Sequence, residues 1–189
     1  HHGGFADKVR ANANSVIPLP EAIDLKSVGP LLCGGLTVFN PLVQFDIKPT
    51  DKVAVIGIGG LGHIALQFLQ AWGCEVTAFT SAAKLQEALD MGAHYSVDSR
   101  DAVVMAELPR KFDMLLSTVN VKLDWNLYLS KLKPKGRLHF VGATMDPRCK
   151  RKEVFPDQIP AVCKPATKCW NLLNVIRSSR LWKCIRLIR

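Results

Sequence analysis

A glycine-rich turn, GIGGLG at residues 57–62, is the feature that most limits the folds open to this chain. The turn directly follows an apolar run at 52–58 and opens a segment at 61–73 whose apolar residues recur with helical spacing. Glycines in the pattern G-x-G-x-x-G between a strand and a helix are typical of sites that bind dinucleotides. Taken alone, the pattern also occurs as a purely structural turn, so the elements that follow it have to decide between the two.

Short apolar runs and helical segments alternate along the chain after residue 51. Strands are predicted at 52–58, 74–80, 94–97, 112–119 and 136–143, and helices at 61–73, 82–92, 101–108 and 123–132. Because the strands are apolar throughout, both faces of their sheet must be covered. The alternation predicts an α/β fold of the Rossmann type, with a doubly wound parallel sheet. The sheet is expected to be incomplete, because no sixth strand is recognisable after the fifth.

The three glycines of the motif have different physical roles. Gly57 permits the tight turn, Gly59 lets the backbone approach a pyrophosphate, and Gly62 allows the helix to pack closely on the strand. Free amides at the helix start then face the phosphates. The cofactor-binding residues predicted here are Gly57, Gly59, Gly60, Leu61 and Gly62. His63, in the first helical turn, either approaches a phosphate or is a surface histidine.

The segment TSAAK at the end of the second strand bears on the choice of cofactor. An NAD site is expected to place a carboxylate here for the ribose 2′-hydroxyl, but the first carboxylate is Glu87. The hydroxyls of Thr80 and Ser81 and the ammonium of Lys84 suit a 2′-phosphate, which a carboxylate would repel. The alternative is that Ser81 caps a helix and Lys84 is only solvated. We favour NADP(H).

The net charge of +9 belongs entirely to residues 148–189, because residues 1–147 hold equal numbers of basic and acidic side chains. This step marks a boundary in the chain. None of the six cysteines forms a C-x-x-C pair. No signal peptide and no apolar run long enough to cross a bilayer is recognisable. These features predict a soluble cytoplasmic protein with reduced thiols, acting without a membrane or nucleic-acid partner.

Several segments together resemble the zinc-dependent medium-chain alcohol dehydrogenases, and most nearly their NADP-dependent branch related to cinnamyl alcohol dehydrogenases. In chain order they are GGFADKVR, PLLCGGLTVFNPL, VAVIGIGGLGHIALQF, TSAAK, FDMLLSTVN and LKPKGRLHFVGA, within residues 3–147. The resemblance implies that residues 1–46 are the C-terminal remnant of a catalytic, GroES-like domain together with a linking helix. It implies a dinucleotide-binding domain at 47–147 and a tail outside the family at 148–189.

The resemblance also implies roles for residues outside the glycine turn. Cys33 stands where the family has a catalytic zinc ligand, although from the residues alone a single cysteine on an apolar helix is usually a buried thiol. The positions that match the nicotinamide end of the cofactor are Thr37, Val38, Ser117, Thr118, Val119, Val141, Gly142 and Ala143. The family's other zinc ligands have no counterpart here, so we expect zinc in the full-length family and not in this chain.

The family reaction interconverts primary alcohols and aldehydes by hydride transfer with NADP(H). We therefore expect a fragment of such an enzyme, whose partner is a small alcohol or aldehyde. The resemblance implies a homodimer for the intact family and leaves the oligomeric state of this chain open. With one ligand position, the chain is expected to be inactive by itself. The alternatives are a non-catalytic NADPH-binding protein and a zinc-free relative of the quinone reductases, which the cysteine of PLLCGG disfavours.

Two functional explanations for residues 148–189 meet objections. A basic nucleic-acid or membrane module would need its charges on one face, yet the basic residues from Arg177 to Arg189 recur every third position and would spiral around a helix. A zinc module would need closely spaced cysteines, which the tail lacks.

A reading-frame slip is the third explanation for this tail. Cys169, Trp170 and Asn171 are encoded TGY, TGG and AAY, and translation from the third base of each codon gives Leu-Glu for every codon choice. The family has a segment resembling MLEFA in its next helix. We therefore hypothesise that residues 148–189 are out-of-frame translation, which accounts for their poor folding signals.

Overall fold

The computed structural model describes residues 5–12, 16, 18–19, 21 and 25–141, without the side chains of residues 26 and 27. The strands are β1 (Lys52–Ile56), β2 (Glu75–Thr80), β3 (Tyr95–Asp98), β4 (Phe112–Ser117) and β5 (Leu132–Phe140). The helices are α1 (Leu25–Pro30), α2 (Leu36–Gln44), α3 (Gly60–Trp72), α4 (Leu85–Asp90), α5 (Ala102–Glu107) and α6 (Trp125–Leu129). A π-helical turn (Leu31–Gly35) joins α1 to α2, and a 3₁₀ turn (Ala82–Lys84) precedes α4.

The strands form one parallel sheet in the order β3-β2-β1-β4-β5. β1 is central, with Val53 opposite Val76 of β2 on one side and Met114 of β4 on the other. The chain therefore winds outward from β1 to β3 and then crosses back to β4. Such a reversal leaves a crevice at the carboxyl ends of β1 and β4, which is where open α/β sheets bind their ligands. The predicted Rossmann-type fold is confirmed.

Both faces of the sheet are covered by helices. On one face, α2 and α3 contribute Phe39 and Phe68, which lie against the valines of β1 and β2. On the other face, Met105 of α5 and Tyr128 of α6 pack with Phe79 and with other apolar side chains of the sheet. Burial of strand side chains in both directions explains why the strands are apolar at nearly every position.

The helix that precedes the sheet is interrupted by the π-helical turn Leu31–Gly35, which the sequence did not predict. The two glycines of this turn bring it close to α3. A Cβ on Gly35 would lie 3.3 Å from the ring of Phe68, and one on Gly34 would lie 3.1 Å from Ile64. Pro30 and Pro41 both lie inside the helical segments. The close contact with α3 holds the segment in place where isolated prolines would weaken a free helix.

The fifth strand differs from the prediction at its start. It was predicted to begin at residue 136, but Leu132 already pairs with Phe112, and an irregularity follows before Arg137 pairs with Met114. Lys135 has a φ of 67° within this irregularity. The Pro-Lys-Gly sequence there is typical of a turn, and for this reason the strand was predicted to begin only after it. The predicted strand end at 142–143 and the predicted tail lie outside the described residues.

His139 connects the outer strand to the helix that leads into the sheet. Its ring centroid is 5.2 Å from that of Phe45, the residue that ends α2. Arg137 lies over the same Phe45 ring, 5.0 Å from its centroid. Burial lowers the pKa of His139 to about 4. The contact is therefore made by a neutral imidazole.

We expect the free energy of unfolding to fall, on account of His139, as the pH drops from about 6.5 to about 4. The unfolded chain takes up the proton near the first value and the folded chain only near the second, so the stabilisation is complete above this interval and lost below it. Replacement by a side chain that does not titrate, His139→Gln, should reduce this loss by about 1–3 kcal/mol. Urea unfolding at both ends of the interval measures it, and equal losses in the two proteins would contradict the prediction.

Candidate functional site

A cleft of about 710 Å³ opens at the carboxyl ends of the central strands. It brings together residues predicted from two separate parts of the sequence, the glycine turn and the end of β2. Its predicted members from these two parts are Gly57, Gly59, Gly60, Leu61, Thr80, Ser81 and Lys84, and the end of β4 adds a third part with the predicted residues Thr118 and Val119. Because parallel strands end at one edge of the sheet, side chains distant in sequence meet there.

The glycine turn is tightly packed at Gly57 and Gly62 and open at Gly59 and Gly60. Gly57 has a φ of +87°, and a Cβ there would lie 2.1 Å from a methyl of Val119. A Cβ on Gly62 would lie 2.1 Å from the carbonyl oxygen of Gly57. Gly59 and Gly60, by contrast, have nothing within 4 Å of their Cβ positions. The turn has room for a diphosphate, because the backbone at Gly59 and Gly60 faces open space.

The first turn of α3 has no side-chain cap. Gly59 is the N-cap residue and makes no capping hydrogen bond, so amides at the helix start keep their donors for a ligand. The ring Nδ1 of His63 lies 3.2 Å from the carbonyl oxygen of Gly59. His63 is thus placed against the backbone of the turn itself.

Thr118 fastens the glycine turn to the neighbouring strand end. Its hydroxyl donates to the carbonyl oxygen of Gly57 (2.8 Å) and lies 3.2 Å from that of Ile56. The amide of Gly57 donates to Phe79 of β2 (2.9 Å). These bonds tie the turn to β2 and β4 together. Thr118 therefore has a structural role in addition to the nicotinamide-end contact predicted for it.

The structure lacks the capping bond of the alternative explanation for Ser81 and Lys84, whereas the solvated lysine stays open. Ser81 occupies an N-cap position but makes no side-chain capping hydrogen bond. Lys84 is exposed, and its ammonium also donates to the carbonyl oxygen of Ile58 (3.2 Å) across the cleft. Both residues line the same cleft as the glycine turn.

Eight residues that line the cleft were missed as site residues by the sequence reasoning: Ser99, Arg100, Val121, Leu123, Tyr128, Ile56, Ile58 and Phe79. The signal that would have found the first two is positional, since they directly follow β3 and strand ends converge. Burial raises the pKa of Tyr128, and a side-chain hydrogen bond with Ser99 acts in the opposite direction. Among the described lining residues, Lys84 and Arg100 are charged and no carboxylate is present.

The other predicted site residues lie outside the cleft. Val38 is buried in the core on α2, and the hydroxyl of Thr37 donates to the carbonyl oxygen of Cys33 (2.9 Å). Ser117 is fully buried and its hydroxyl lacks a hydrogen-bond partner within the described structure. Val141 continues β5 through its amide bond to Ser117 (2.9 Å). The roles predicted for these four residues at the nicotinamide stay predictions, and Gly142 and Ala143 lie outside the described residues.

Cys33, in the π-helical turn, is exposed, so the expectation of a buried thiol is wrong. In the part of the chain that the structure describes, no three histidine, cysteine or acidic side chains come together where they could hold a metal ion. Catalytic zinc takes three protein ligands, so the described residues do not fit a zinc site by themselves. The same residues include no helix with the length and apolar character needed to cross a bilayer.

A family model described as zinc-binding dehydrogenase matches residues 60–159. The chain belongs to the zinc-binding dehydrogenase family. It is 61% identical over 148 residues to the aldehyde reductase AdhA of Synechocystis, a match that covers 78% of this chain and 44% of that protein. The family resemblance drawn from the sequence is thereby confirmed, and the chain spans less than half the length of the curated relatives it matches.

Solved structures agree with this assignment. A cinnamyl alcohol dehydrogenase from Sorghum bicolor superposes with a TM-score of 0.66 at 36% identity, over 69% of this chain and 38% of that one. The cinnamyl alcohol dehydrogenase of Helicobacter pylori, solved in complex with NADP(H), gives a TM-score of 0.60 at 34% identity, over 69% and 37% of the two chains.

Two substitutions in the glycine turn should separate folding from binding. Gly62→Ala places a methyl group 2.1 Å from a backbone oxygen, so we expect it to lower the free energy of unfolding by about 2 kcal/mol or more. Gly59→Ala meets open space and should leave stability within about 1 kcal/mol while weakening dinucleotide binding at least tenfold. Thermal unfolding and NADPH titration measure the two effects. Tight NADPH binding by Gly59→Ala would show that the diphosphate does not lie at this turn.

Proposed function

We propose that this chain is the dinucleotide-binding part of an NADP(H)-dependent alcohol dehydrogenase that interconverts primary alcohols and aldehydes. The observation that carries the proposal is the cleft itself, in which two open glycines face the same space as Ser81 and Lys84, without a carboxylate among the described lining residues. A relative from Mycolicibacterium smegmatis, 37% identical over 77% of this chain, is named an NADP-dependent alcohol dehydrogenase. The structural relative complexed with NADP(H) supports the same cofactor.

Different residues of the cleft bind different groups of the cofactor. Amides at the start of α3 bind the diphosphate, and Ser81 with Lys84 binds the 2′-phosphate of the adenosine ribose. Thr118 keeps the turn in the geometry that exposes those amides. Bound NADPH supplies the hydride that reduces an aldehyde, and bound NADP⁺ accepts one from an alcohol. The contribution of this chain is to bind and orient the cofactor.

We further propose that the 189-residue chain binds cofactor without turning over substrate. Lewis-acid catalysis by zinc requires three protein ligands and an open position, and Cys33 is the one predicted ligand of this chain. The proposed arrangement remains a catalytic-domain remnant at 1–46, a dinucleotide domain at 47–147 and a separate tail at 148–189. The homodimer of the intact enzyme and its cytoplasmic location belong to the same proposal.

NADPH should bind at least tenfold more tightly than NADH, because only NADPH offers a phosphate to Ser81 and Lys84. Ser81→Asp places a carboxylate at the strand end and should reduce or reverse this preference, weakening NADPH by about 10- to 100-fold. Thr50→Asp is the control, since it adds the same charge at an exposed turn before β1, at the opposite end of the sheet. Calorimetric titration measures both cofactors; a wild-type chain that prefers NADH would refute the proposed cofactor.

The isolated chain should not reduce aldehydes: NADPH should be consumed no faster than in buffer without the protein. Consumption of NADPH is followed with a cinnamyl and an aliphatic aldehyde, with and without added zinc. Binding of NADPH under the same conditions is the control that the cofactor site is intact. Zinc-dependent turnover would overturn the proposal that the chain binds without catalysis.

A further inference from the structure

We propose that Arg100 is a second cationic ligand of the adenosine 2′-phosphate and contributes to the choice of NADP(H) over NAD(H). The inference rests on the proposed function and extends it to a residue that the sequence did not single out. Arg100 follows β3, sixteen positions after Lys84 in the sequence, and lines the cleft together with Lys84 and Ser81.

The turn that carries Arg100 is fastened to the strand end where the 2′-phosphate is expected. The amide and the hydroxyl of Ser99 both donate to the carbonyl oxygen of Thr80, at 2.7 and 2.9 Å. Thr80 directly precedes Ser81. The backbone next to Arg100 is therefore held beside the backbone of the predicted phosphate-binding segment.

A further set of bonds fixes the conformation of this turn. A carboxylate oxygen of Asp98 accepts from the amide of Arg100 (2.9 Å). Asp101 caps α5 by accepting from the amides of Val103 (2.9 Å) and Val104 (3.1 Å). Both acidic neighbours of Arg100 thus use carboxylate oxygens on backbone amides.

The guanidinium of Arg100 itself has no ion-pair or hydrogen-bond partner among residues 25–141. The ion pairs found in that region join Lys52 to Glu75 and Lys133 to Asp113. Lys84, the other cation of the cleft, already donates to the carbonyl oxygen of Ile58 (3.2 Å), on the side of the glycine turn. The cleft therefore offers an ammonium that has used one of its three donors on Ile58, and a guanidinium that keeps all of its side-chain donors.

A phosphate monoester is the ligand chemistry that such a guanidinium fits. Its planar fork can donate two parallel hydrogen bonds to one phosphate group. An adenine ring stacked on the guanidinium is the competing role for an arginine at this place. Stacking would act equally on cofactors with and without the 2′-phosphate, so the two roles have different signatures.

The test titrates the full 189-residue chain with adenosine 2′,5′-bisphosphate and with 5′-AMP, which differ by the 2′-phosphate alone. Arg100→Ala should weaken the bisphosphate by about 10- to 100-fold and leave 5′-AMP within about twofold. Arg100→Lys should recover part of the loss. Lys48→Ala, which removes the same charge from an exposed residue before β1, should change neither ligand.

Each outcome leads to a separate conclusion. If the wild type prefers the bisphosphate and Arg100→Ala does not alter that preference, the role of Arg100 is refuted and the proposed function stands. Equal weakening of both ligands would also refute it, in favour of stacking. If the wild type binds both ligands equally, the proposed use of NADP(H) fails as well.

Discussion

The close approach between the first turn of α3 and the end of β1 is the constraint on which the rest of the structure depends. A side chain at Gly62 would overlap the carbonyl oxygen of Gly57, so the helix reaches this position only because Gly62 lacks a Cβ. From there its free amides face the crevice where the direction of winding reverses. A single hydrogen bond, from the hydroxyl of Thr118 to the carbonyl oxygen of Gly57, then connects the same turn to the end of β4.

The positive charge of the cleft comes from residues that follow two neighbouring strands, β2 and β3. The end of β2 contributes Lys84 through the short turn after it, and the end of β3 contributes Arg100 through a turn bonded to Thr80. The acidic residues next to Arg100 take hydrogen bonds from the backbone, which holds the turn in one conformation. The positive character of the cleft is therefore a property of two neighbouring turns and of the bonds that hold them together.

The sequence predicted those features that have a local signal. Glycine spacing located the turn, and continuous apolar runs located the strands and the doubly covered sheet, all of which the structure contains. Arg100 and Tyr128 were missed because their place in the cleft depends on packing between strands, and no motif marks them. The early start of β5 at Leu132 was missed because local turn chemistry obscured it. Roles at the nicotinamide were inferred from the family and have no counterpart in local sequence physics.

The π-helical turn at Leu31–Gly35 has a consequence for how the first part of the chain tolerates changes in length. Such a turn accommodates one residue more than an α-helical turn does, so the helix stays continuous while its two halves are offset in phase by about 100°. Deleting a single amino acid there would leave a smooth helix but rotate α1 about its axis relative to α2. Deleting one residue from this segment would thus rotate α1, whereas deleting one residue from a surface loop would only shorten the loop.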